Sequence, residues 1–73
     1  MTKEAINKLS DVCKQHLEGS VFVANTSKNP AAREEIRLQI KGYCQCLKDC
    51  GILTENERRA INNYYRSKIE TVF

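Results

Sequence analysis

The chain has 73 residues, 41% of them hydrophobic and 29% charged, and a domain of that length buries only about 60% of the surface its unfolded chain exposes. Its 12 basic and 9 acidic residues give a formal charge of +3, interspersed without a block of either sign, which reads as a solvated surface and not as the basic stripe of a dedicated nucleic-acid module. No apolar run nears the roughly 20 residues that cross a bilayer, and the opening stretch "MTKEAINKLSDVCKQHLEG" is charged throughout where a signal peptide is apolar, so a cytoplasmic protein without membrane association is expected.

From Thr2 to Glu18 the positions Ile6, Leu9, Cys13, His16 and Leu17 recur at spacings of three and four, with Ala5 and Val12 widening the stripe. The pattern predicts one amphipathic helix over residues 3–18, with Thr2 as an acceptor for its first turn and Gly19 at its left-handed end. "SVFVANTSKN" follows. Val21, Phe22 and Val23 have no second strand pattern to pair with, so the segment is read as an ordered connection packed over the helix ends.

Asn29-Pro30 is a start signal: a capping acceptor, then the residue whose missing N–H and fixed φ suit a first turn. Ala32, Ile36, Ile40, Tyr43, Leu47 and Cys50 then form a seam at helical spacing over residues 30–50, and Leu38 falls on the opposite face. Gly42 inside the seam weakens the helix by up to about 1 kcal/mol relative to alanine.

The next break is well specified. Gly51 supplies a left-handed position, and Thr54-Glu55-Asn56-Glu57 has the form of a capping box. A third helix is expected over residues 55–71, with Ala60, Ile61, Tyr64, Tyr65, Ile69 and Val72 on its stripe, ahead of Phe73. The fold class that follows is all-α: one domain over residues 1–73, three helices, the last two a helical hairpin.

"YCQCLKDCGILTENERR" holds three of the four cysteines. Helical spacing sets Cys46 and Cys50 near one another and turns Cys44 away from Cys46, so the three thiols do not converge, and neither "CQC" nor "CLKDC" has the zinc-knuckle form. The best four-ligand set takes Cys13 and His16 from the first helix with Cys46 and Cys50 from the second. Cysteine behaves as a small hydrophobe, and core packing is the expectation for all four, with no metal or other cofactor.

No phosphate-cradling glycine loop is present, and the sole histidine lacks a partner for general acid–base work. Glu34 and Glu35 stand where acids complement a helix dipole. A non-enzyme is therefore expected.

Two kinds of macromolecular partner remain. Arg59, Asn62, Asn63 and Arg66 are expected on the outer side of the third helix, and Arg and Asn are the residue types that read G and A in a major groove. Against this, aligning Gly51 with the turn of a helix-turn-helix motif puts Glu57 at a buried position. Tyr43, Tyr64 and Tyr65 are of the type enriched at protein interfaces, and Phe22 in a loop and Phe73 at a terminus suggest more apolar surface than one copy covers, with the outward Leu38 a further candidate for the contact. The functional expectation is a small protein-binding adaptor, regulator or inhibitor acting as a homodimer, with nucleic-acid binding as the alternative.

Overall fold

A computed structural model describes residues 2–70. The described residues form four α-helices and no strand: α1 Thr2–Asn7, α2 Asp11–Thr26, α3 Pro30–Asp49 and α4 Glu55–Ser67. The all-α expectation holds, but the first expected helix is two. Ser10 breaks it: its backbone is extended, and its Oγ accepts the N–H of Cys13 at 3.2 Å, which starts a new helix at Asp11. Asp11 adds an acid to that first turn.

The second correction concerns Gly19 and the segment after it. Gly51 is the only described residue at positive φ; Gly19 stays in the right-handed helix, and α2 runs through it and through Val21, Phe22 and Val23 to Thr26. Three β-branched or aromatic residues cost a helix only a few tenths of a kcal/mol each. Ala24, fully buried, and Val21, packed against the core, offset that. The helix then stops where Asn29 and Pro30 open α3, with Asn29 Oδ1 accepting the N–H of Ala31 at 2.9 Å.

The end of α3 is a left-handed cap. Gly51 sits at φ 81°, its N–H donates to Lys48 O at 3.0 Å and the N–H of Ile52 donates to Leu47 O at 3.0 Å, which together make a Schellman motif. Thr54 and Glu57 then close the first turn of α4 reciprocally, through Thr54 N to Glu57 Oε1 at 2.8 Å and Glu57 N to Thr54 Oγ1 at 3.2 Å.

Helix α4 is the centre of the packing and touches α1, α2 and α3, while α2 also lies on α3. Leu17 of α2, Ile40 and Cys44 of α3, and Ile61 of α4 are the largest fully buried side chains, joined by Ala5, Leu9, Leu47, Leu53, Tyr65 and Ile69. Full burial stabilises by roughly 1.5–3 kcal/mol for each large aliphatic side chain. The buried face of α3 is rotated from the expected seam: Arg33 and Cys44 are inside, and Cys50 is exposed.

Arg33 is a charge inside this core, 7% exposed. Its guanidinium donates to three backbone carbonyls, Ser27 O at 2.9 Å, Asn25 O at 3.2 Å and Glu70 O at 2.6 Å. Asn25 completes the knot, donating from Nδ2 to Lys68 O at 3.0 Å and accepting the N–H of Glu70 at 2.8 Å. The ends of α2 and α4 and the start of α3 are thereby fastened together, with cationic donors at carbonyl-rich helix ends as the dipole favours.

Candidate functional site

Two regions of the surface combine chemistry with exposure. The first is the outer face of α2. At 100° per residue, Val12, Gln15, His16, Gly19, Phe22 and Val23 lie on the side away from the buried Leu17, with the exposed acids Asp11 and Glu18 along one edge. Val12 is 74%, Phe22 69% and Val23 56% exposed. Where α2 meets α3, a groove of about 370 Å³ is lined by Gln15, His16, Gly19, Ser20, Val23, Ile36 and Gln39. None of these residues carries a charge with histidine neutral, in a chain in which 29% of residues are charged. A Cβ on Gly19 would meet no atom within 4 Å. The fold therefore does not require glycine there, although it weakens a helix interior by about 1 kcal/mol.

His16 and Tyr43 bridge the two helices beyond this groove, their rings 4.3 Å apart and tilted by 31°. Ser10 and Tyr43, the hydroxyls beside the half-buried Cys13, hold its thiol below the ordinary value. The Cys13 thiol, with burial adding to it, pushes the Tyr43 hydroxyl up to about 12. A lowered value favours the thiolate, the reactive form of cysteine, but among the described residues no hydrogen bond joins His16 to Cys13.

The second region is the end of α3. Cys46 and Cys50 are both exposed, four residues apart on the same edge of the helix, and the neighbouring Cys50 thiol raises Cys46 above the ordinary thiol value. Cys44 is fully buried, and desolvation pushes it up to about 11. Cys44 lies in the core and the half-buried Cys13 packs against it, whereas Cys46 and Cys50 are exposed, a correction to the expectation of core packing for all four. The set Cys13, His16, Cys46 and Cys50 does not come together: among the described residues no three His, Cys, Asp or Glu side chains are grouped to hold one ion.

The remaining candidates are dispersed. Tyr65 is a core residue at 2% exposure, in edge-to-face contact with Tyr64 at 5.1 Å, which corrects its place among interface residues. Tyr64 is at the surface, with Lys68 Nζ 4.6 Å from its ring centre. Leu38 is 56% exposed, as its spacing predicts. Phe73 lies outside the described residues.

On α4, Asn62 is buried, with its Oδ1 lacking a hydrogen-bond partner among the described residues, so it does not belong to the outer face. Arg59 and Asn63 are exposed and Arg66 is half-buried. Arg59 is held by Glu55 at 3.1 Å, and the same carboxylate takes both ends of the Arg58 fork at 2.9 and 2.7 Å. Four residues read as one groove-reading face are thus split between core, carboxylate and solvent.

The apolar stripe on the outer face of α2 escaped sequence reasoning because the helix was ended at Gly19. With Ser10 taken as the cap, Val12, His16, Gly19 and Val23 fall at spacings of four, three and four, a second stripe opposite Leu17. Compared with protein-family models, with curated proteins and with solved structures, the chain matches none. No helix among the described residues is long and apolar enough to cross a membrane.

Proposed function

We propose that the protein works by binding protein, as a non-enzymatic adaptor, regulator or inhibitor, and that two copies associate through the outer face of α2 and the adjoining edge of α3. The observation that carries this reading is the second, solvent-facing stripe of α2, with Val12, Phe22 and Val23 exposed beside an uncharged groove. Apolar surface gathered on one face marks an interaction site, whereas scattered exposed hydrophobics do not. A twofold contact sets each patch against its own copy, and the groove, lined without Asp, Glu, Lys or Arg, sets no like charges against each other there. Gly19 lets a partner helix approach closely, a reason for glycine that the isolated chain lacks. Helices α3 and α4, read as a hairpin, are the support beneath.

The double substitution Phe22→Glu and Val23→Glu tests this. Both side chains are exposed, so the helical circular dichroism should be unchanged. Sedimentation should show the wild-type mass doubling with concentration and the variant remaining monomeric; a wild type that stays monomeric throughout discards the self-association.

The α4 alternative has less to stand on. Asn62 is buried and Glu55 occupies Arg58 and Arg59, which leaves Asn63 and Arg66 as the residual candidates for nucleic-acid contact.

A further inference from the structure

We propose that Cys46 and Cys50 form a two-thiolate site for a soft monovalent d10 cation of the copper(I) class. The site rests on α3 alone and is independent of the association proposed above.

Two exposed cysteines four residues apart at the end of a wound helix have few chemical uses, and the geometry selects among them. The turn between them is intact, with the N–H of Cys50 donating to Cys46 O at 2.9 Å. Side chains at this spacing have Cβ atoms about 5–6 Å apart, while a disulfide needs roughly 3.5–4.5 Å. A direct S–S bond would therefore unwind the last turn of α3 and disturb the Gly51 cap. An ion between the sulfurs fits the helix as it stands, because each metal–sulfur bond adds on the order of 2.3 Å to the span.

The ligand count selects the ion. Zinc and other tetrahedral divalent ions take four ligands in structural sites, and among the described residues no third His, Cys, Asp or Glu joins this pair. Soft thiolates favour copper(I), and a closed-shell monovalent ion is satisfied by two of them in a near-linear arrangement. Asp49, the nearest carboxylate in sequence, is held by Gln45 Nε2 at 3.0 Å. On binding, each thiol gives its proton to solvent and each sulfur donates one electron pair to the ion. No electron is transferred.

The test presents the reduced, oxygen-free protein with copper(I) as its coloured bicinchoninate complex. The wild type should withdraw one copper per chain, read as loss of the chelator's colour and as a one-copper increment in native mass. Cys46→Ser and Cys50→Ser should each weaken retention by about 100-fold or more, beyond the loss of an outer-shell partner, with unchanged circular dichroism because both sites are exposed. Cys13→Ser should bind as the wild type does. The proposal is overturned if the wild type cannot compete with the chelator, if either α3 variant retains copper normally, or if one copper is shared by two chains.

Discussion

The first turn of α4 is closed by neighbours in sequence, Thr54 and Glu57, whereas the backbone just beyond its last turn is closed by Asn25 and by Arg33, whose acceptor Glu70 is 37 residues away. The capping bonds of the first lie at the surface and need only that tetrapeptide, with Lys8 adding an ion pair to Glu57 at 2.6 Å. The second is buried and exists only when α2, α3 and α4 have met. The contrast separates what stabilises a helix from what stabilises an arrangement of helices.

Breaking the buried end should have the largest effect. Arg33→Met keeps much of the bulk but orphans three carbonyls, and hydrogen bonds to charged donors are worth about 1.5–3 kcal/mol each before context reduces them. A loss of about 3 kcal/mol or more is expected in urea unfolding, a large part of the roughly 4–11 kcal/mol a chain of this length commands. Thr54→Ala removes one local cap and should lose about 1 kcal/mol. If the two variants proved equally stable, the distinction between the ends of α4 would fail.

The smallest effect belongs to the charges at the first turn. Arg58, with Arg59 adding to it, holds the Glu55 carboxyl at about 2, below its usual 4.5. A folded value lower than the unfolded one means stability that is fully present above about pH 4.5 and drains away as pH falls toward about 2. The melting temperature of Glu55→Gln should therefore lie slightly below that of the wild type at neutral pH and converge with it in acid. Because the pair is exposed, 0.5 M salt should shrink the difference.

Much of the fold was legible because its signals are local. Asn29-Pro30, Gly51 and the Thr54/Glu57 box announce element ends within four residues, and each is found where its chemistry predicts. Gly19 misled for an equally physical reason: glycine permits a left-handed stop but does not impose one, and Ala24 and Val21 had core to bury one turn further on. The pairing of Cys46 with Cys50 followed from spacing alone. Arg33 could not be found that way, since its acceptors are backbone atoms that no side-chain pattern reveals. Asn62 was placed on the outer side with Arg59, Asn63 and Arg66, although α4 brings it inside.

The Arg33 knot bears on how the molecule opens. Helix ends ordinarily fray at almost no cost, and such local openings set the lower limit of amide protection in a folded protein. Here the N–H of Glu70, beyond the last residue of α4, is held by Asn25 Oδ1, and its carbonyl is held by a buried guanidinium. Releasing that short tail strips a buried cation of one acceptor and loosens the ends of two other helices. The amide of Glu70 should consequently exchange with solvent at the pace of the core, as part of the same cooperative unit as Leu17 and Ile61.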